Sequence, residues 1–471
     1  MPLPQIIQGG MGVGVSGWMM ARAVAEAGQL GVVSGTALDT VFARRLQSGD
    51  PGGHLRRAVD AFPFPEMGRR IWERYFIEGG KAVGKAFRSV SMFSEKPARD
   101  LMELTVLANF VEVFLAKEGH PGKVGINFLE KIQLPTLPSI FGALLAGVDV
   151  VLMGAGIPRA IPVILEQLVQ GKPASLKLDV EAANGKEFCI RFDPVDFCGG
   201  IGKVPVLRRP KFLAIISSAT LALTMARKSS GKVDGFVVEG PSAGGHNAPP
   251  RGDMQLDCRG EPIYGERDLP DLDKIRAIGL PFWLAGSFGR PGGMAEARAK
   301  GAIGIQVGTA FAFCEESGIT TGLKKEVIQG SRQGSLSVHT DPHASPTGFP
   351  FKIIHFAGSS DREGDPAPRK RVCDLGYLRH PYRKDDGSVG YRCPGEPAAD
   401  FAKKGGIPCQ AKGSVCLCNG LLATIGLGQV RDTEVEAPLL TAGDDVVRIA
   451  DFVPCAQESY TAADVIRALL K

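Results

Sequence analysis

Short β-branched runs alternate with one-sided apolar stretches over the first 310 residues, and small-residue loops or glycines separate them. Residues 5–35 show the unit plainly: IIQ reads as a strand, GGMGVG as a loop, WMMARAVAEA as an amphipathic helix and LGVVSG as the next strand. Ser16 is the expected cap of that helix and Gly28 its C′ residue. The same grammar predicts strands at 4–8, 31–34, 124–128, 149–153, 212–216, 235–239, 282–285 and 304–307. Where nothing intervenes, a unit takes about 22 to 26 residues, enough for a strand, a helix and two short loops. Helix signals fall between the strands, with Pro97 and Gly119 bracketing one helix, Ser218 capping ATLALTMARK and Pro270 opening DLDKIRAI.

Eight such units in series predict an α/β fold, a (β/α)₈ TIM barrel. Two stretches break the rhythm and read as insertions on the barrel. One is 50–93, around RRIWERYF, and the other is 171–210, where Asn184-Gly185 within VEAANGKEFCIRF signals a hairpin. Beyond residue 325 the rhythm is lost, and Pro, Gly and charged residues dominate to about residue 413. The expected organisation is a barrel over 1–325 and an appended Cys-rich, irregular and helical region over 326–471. Short helices are expected at CNGLLATIGLGQ and at YTAADVIRALLK, the second capped by Thr461.

Composition narrows the function classes. At 471 residues and 44% hydrophobic, the chain has room for one barrel of roughly 250 residues plus appended parts. Its net charge of +5 is scattered rather than striped, so no nucleic-acid partner is implied. The N-terminus lacks the features of a signal peptide. The most apolar stretch, 137–169, is interrupted by Gly142, Gly147, Asp149, Gly154, Gly156 and Pro158, so no membrane span is expected. A cytoplasmic location follows, in which the ten cysteines are reduced thiols. Cys373, Cys393, Cys409, Cys416 and Cys418 crowd one region, but their spacings match no standard metal knuckle and no metal is expected.

In a parallel barrel the chemistry lies at the carboxyl ends of the strands, and the loops there are rich in glycine. LAGSFGRPGG and IQVGTAF, after the seventh and eighth strands, each present free backbone N–H groups, the arrangement of a phosphate cradle. VVEGPSAGGH runs from the sixth strand to a single imidazole, His246, which taken alone is either a hydrogen-bonded loop residue or a catalyst.

QGGMG, VGINF, MGAGIP, VEGPSAGGH, LAGSFG and IQVGTAF resemble, in order, the signature loops of the nitronate monooxygenase family. These are FMN-dependent barrels with relatives that reduce enoyl thioesters. The resemblance implies that Gly10 and Met11 line the flavin ring, that Asn127 hydrogen-bonds it, and that Gly244 and Gly245 let backbone approach it. It further implies that Gly286, Ser287, Gln306, Gly308 and Thr309 hold the phosphate region and that His246 is the active-site histidine. The expected activity is oxidation of alkyl nitronates or nitroalkanes with O₂, His246 acting as base or as substrate-orienting group. An NAD(P)H-dependent enoyl-thioester (enoyl-ACP) reductase is the alternative, and a flavin-containing scaffold subunit the second. The expected partners are thus a small-molecule substrate with O₂ or NAD(P)H, and a homo-oligomer is compatible with everything above.

Three departures from the family pattern bear on the site: Ser242 where Glu is usual, NAPPRG after His246, and Ser287-Phe288 in place of Gly-Ile. Glu239 is expected to orient the glycine loop by accepting backbone N–H bonds, and Lys177 and Lys211 to be solvated or ion-paired. SPTGFPFK, 345–352, is either a rigid linker or a cover that folds back over the barrel mouth.

Overall fold

The computed structural model describes residues 3–355 and 371–471, so the 356–370 part of the expected C-terminal region lies outside the described residues. All eight expected barrel strands are present: β1 (Ile6–Gln8), β2 (Gly31–Ser34), β3 (Val124–Leu129), β4 (Val150–Gly154), β5 (Lys211–Ile216), β6 (Gly235–Glu239), β7 (Phe282–Ala285) and β8 (Gly304–Val307). They pair in parallel in the order β1, β8, β7, β6, β5, β4, β3, β2, and a parallel bridge between Ile7 and Leu30 joins the two ends of the sheet. The result is the expected TIM barrel.

The β-branched runs suit this sheet because both of its faces are covered. Alternate residues point inward, and Ile7, Val32, Leu152, Leu213, Val237 and Trp283 pack together as the barrel's filling. Their neighbours Ile6, Val33, Ile126, Val151, Phe212 and Phe236 join the larger outer cluster beneath the helices. Trp283 seals the N-terminal end, its indole N–H donating to Pro4 O at 2.9 Å. That leaves the opposite end open for a site.

The helix Trp18–Glu26 is capped differently from expectation. Gly17 is its N-cap and makes no side-chain cap. Ser16 Oγ is instead drawn into the β1 loop, accepting from Met11 N at 2.8 Å and donating to Gly9 O at 2.9 Å. The buried loop needs the hydroxyl more than the helix end does, since an unpaired donor there costs about 1–3 kcal/mol. Pro270 likewise yields to Asp271, whose carboxylate accepts from Lys274 N to cap Leu272–Arg276. Ser218 caps Ala219–Lys228 as expected.

Both breaks in the rhythm form compact excursions. The first carries the helices His54–Asp60 and Pro65–Tyr75, with Phe62 edge-on to Phe110 of the long helix Arg99–Lys117 at 5.1 Å. The second contains the antiparallel pair Ala174–Lys177 and Cys189–Phe192, and Asn184 and Gly185 both take positive φ, 48° and 79°, at its turn.

The C-terminal chain does not hang from the barrel; it is woven into it. Tyr460 is fully buried and donates to Ala310 O at 2.7 Å, just beyond β8. The last helix, Ala462–Leu469, packs on Trp18–Glu26. Thr461 caps it in a reciprocal box with Asp464. Thr461→Ala is expected to cost about 1 kcal/mol, read as a lowered Tm. Between these points the described residues form three strand pairs absent from the sequence reading, Val338–Asp341 with Phe351–Ile354, His380–Arg383 with Val389–Arg392, and the short pair Val430–Arg431 with Glu434–Val435.

Candidate functional site

The carboxyl ends of the barrel strands surround one deep cavity. Gly10, Met11, Asn127, Gly244, Gly245, His246, Gly286, Ser287, Gln306, Gly308 and Thr309 all line it, so the residues expected to hold the cofactor and the expected active-site histidine converge there. Lys177 and Lys211 do not: Lys177 pairs with Glu187 at 2.7 Å on the outer hairpin, and Lys211 begins β5 at the far end of the barrel.

Each loop is held from within the protein. Asn127 donates its side-chain amide to Gly10 O at 3.2 Å, and a Cβ on Gly10 would stand 2.3 Å from that of Asn127, so only glycine lets the β1 loop lie against β3. Ser287, a residue with a side chain, takes φ of 59° after Gly286 at 92°, a turn that presents successive backbone groups to the cavity. Gln306 Oε1 is buried without a hydrogen-bond partner, an acceptor left free in the cavity wall.

The roof comes from the C-terminal chain. Leu378, Leu417, Cys418 and Leu421 supply its apolar part, and the strap 439–442 with Asp445 closes one side. Thr441 Oγ1 accepts from Gly245 N at 3.0 Å, and Gly443 N donates to Thr309 Oγ1 at 2.9 Å. A Cβ on Gly244 would meet Gly443 N at 2.6 Å, so this glycine makes room for the strap.

His246 has a built environment. It pairs in antiparallel fashion with Phe351, whose ring stands edge-on at 4.8 Å, and Gly245 O accepts from Lys352 N at 3.0 Å. SPTGFPFK is therefore a cover rather than a linker. Within it, Ser345 Oγ lies 2.7 Å from His246 Nε2, 2.8 Å from Thr347 Oγ1 and accepts from Thr347 N at 3.2 Å. Burial pushes the imidazole pKa down to about 4, so His246 is neutral throughout the physiological range.

Glu239 departs from expectation. Its carboxylate accepts no backbone N–H among the described residues; it faces the cavity, and burial pushes its pKa up to about 7. Glu239 and His246 also line an adjoining cleft with Ile157, Leu221, Arg251, Tyr264 and Phe349. The two residues thus stand where the cavity meets a largely apolar channel. The NAPPRG departure forms part of that channel through Asn247, Ala248, Pro249 and Arg251. Ser242 lines neither recess; its carbonyl accepts from Asp444 N at 3.1 Å, tying the loop to the strap.

Ser345 and Asp445 had no assigned role in the sequence reading. SPTGFPFK, open between linker and cover on sequence, is the segment that leads to Ser345; nothing local marks Asp445. Among the described residues no group of three or more His, Cys, Asp or Glu is arranged to hold a metal ion, and no helix is long and apolar enough to cross a membrane.

A parallel barrel with glycine-lined strand ends and a histidine and a carboxyl facing one cavity at its mouth has the architecture of a ligand-binding TIM barrel with its site at the carboxyl ends of the strands. Comparison with known proteins narrows this, and the resemblance read from the motifs is borne out: residues 207–340 match the family model for nitronate monooxygenase. That span holds the last three of the six signature loops. A probable nitronate monooxygenase of Staphylococcus haemolyticus is 26% identical over 40% of this chain and 49% of its own. A nitronate monooxygenase of Paraburkholderia phytofirmans is 28% identical over 42% of this chain and 52% of its own. The chain therefore spans about half the length of these curated relatives. Among solved structures, FabK from Thermotoga maritima superposes with a TM-score of 0.50 at 15% identity, covering 99% of this chain and 91% of that one, a likeness of fold.

Proposed function

We propose that the chain is an FMN-dependent oxidoreductase that oxidises alkyl nitronates with O₂. The observation that carries this reading is the convergence of the signature-loop residues on one cavity, with His246 and Glu239 at its junction with an apolar channel. Gly10, Met11, Asn127, Gly244 and Gly245 would flank the flavin ring; Gly286, Ser287, Gln306, Gly308 and Thr309 would meet its phosphate side. The glycine-lined walls suit the close approach of a flat ring. When bound, the flavin supplies an electron acceptor that O₂ regenerates.

The side chains divide the remaining work. A neutral imidazole with pKa near 4 is a poor base, so His246 orients an already anionic nitronate by hydrogen bonding, its geometry fixed through Ser345. Glu239 must carry its proton for an anion to settle beside it, which it does below about pH 7. The leucines of the roof and the Phe351 edge keep water from the reacting carbon.

The test is anaerobic mixing of the FMN-loaded protein with an alkyl nitronate, an enoyl thioester or NADPH, following flavin absorbance. Bleaching by nitronate is expected. Rapid bleaching by NADPH with no response to nitronate would assign the site to enoyl-thioester reduction instead.

A further inference from the structure

The part of the cavity formed by the β7 and β8 loops already contains a carboxyl group. The strap crosses it, with Gly443 N on Thr309 Oγ1 and Asp444 N on Ser242 O. The next side chain, Asp445, lines the cavity beside Thr309. Its Oδ2 lies 3.0 Å from where a Cβ on Gly289 would stand, so the carboxylate rests against the very backbone that forms the cradle. Thr309 and the backbone at Gly289 belong to the two loops expected to meet a phosphate.

No positive side chain offsets this. Among the described residues, the cavity lining holds two carboxyls, Glu239 and Asp445, and no lysine or arginine. Lys352 is close by but is engaged with Asp444 at 2.7 Å and Thr340 Oγ1 at 2.8 Å. A phosphate in the cradle would therefore meet backbone dipoles and one neighbouring carboxyl, and when that group is ionised the two like charges repel. Burial raises the Asp445 pKa, as expected of an acid in a site without a counter-ion.

Resting on the flavin reading above, we propose that Asp445 is an intrinsic competitor for the cofactor's phosphate. It sets how strongly this site prefers flavin mononucleotide over unphosphorylated riboflavin, and it makes the 439–445 strap the element that must yield when the phosphate enters.

The experiment titrates the full chain, Asp445→Asn and Asp445→Ser with FMN and separately with riboflavin, following the quenching of flavin fluorescence, with circular dichroism confirming that each variant is folded. Both variants are expected to bind FMN at least tenfold more tightly than the parent, roughly the effect of removing one close like charge, while riboflavin affinity changes by less than about twofold. Unchanged or weakened FMN binding in the folded variants would overturn the competitor role and leave the flavin reading standing. Failure of all three proteins to bind either flavin would overturn both.

Discussion

His246→Ala is expected to lower kcat/KM for an alkyl nitronate by about a hundredfold or more, the scale set by losing the orientation of a bound reactant. FMN content, read from the absorbance of the purified protein, should stay near that of the parent, because the glycine loops do not depend on the imidazole. Ser345→Ala separates position from presence. Ser345 is 4% exposed and its hydroxyl touches His246 Nε2 and Thr347. Removing it leaves the ring in place but without its anchor, and a loss of about tenfold is expected, the worth of one buried hydrogen bond. The double variant should be no worse than His246→Ala, since both changes act through one group. A His246→Ala protein that turns over nitronate within about threefold of the parent would exclude the orienting role.

The barrel was legible because its signal is local and repeated. Runs such as VVLMG and FLAII are apolar on both faces, which suits strands covered inside and out, and the glycine loops that follow them announce the end at which a ligand sits. The roles of the loop residues come from the resemblance of motifs that lie at or shortly beyond the strand ends. What escaped depends on distance along the chain. Ser345 reaches His246 across 99 residues, and Gly443 reaches Thr309 across 134. The strands at 338–354 are four residues each and carry Pro and Gly between them, so their pairing shows only once His246 and Phe351 are side by side. Ser16 shows the opposite failure. Its local signal as a cap was sound, and a tertiary demand for its hydroxyl outweighed it. Glu239 was misread because its partner was sought in the neighbouring backbone, whereas burial without any partner gives the carboxyl its chemistry.

That carboxyl yields the sharpest pH dependence. With a pKa near 7, Glu239 passes from neutral to anionic within the working range, whereas His246, near 4, does not titrate there. If the substrate is a nitronate, an ionised Glu239 repels it, so kcat/KM should be level below pH 7 and fall by about tenfold per unit well above it. If a neutral nitroalkane is deprotonated in the site, Glu239 is the base and the profile rises through the same pH. Glu239→Gln removes the charge at nearly constant shape, so the nitronate profile should lose its alkaline fall and the nitroalkane rate should collapse. Stability gives an independent reading of the same group. Because the folded-state pKa lies above the ordinary carboxyl value of 4.5, the parent gives up stability as pH rises from about 4.5 through 7. The variant, with nothing to ionise, should melt at a higher temperature than the parent above pH 7, and at the same temperature near pH 4. Parallel melting curves for the two proteins across that range would show that Glu239 ionises as freely in the fold as in water, and the charge argument for its place beside the substrate would fail with it.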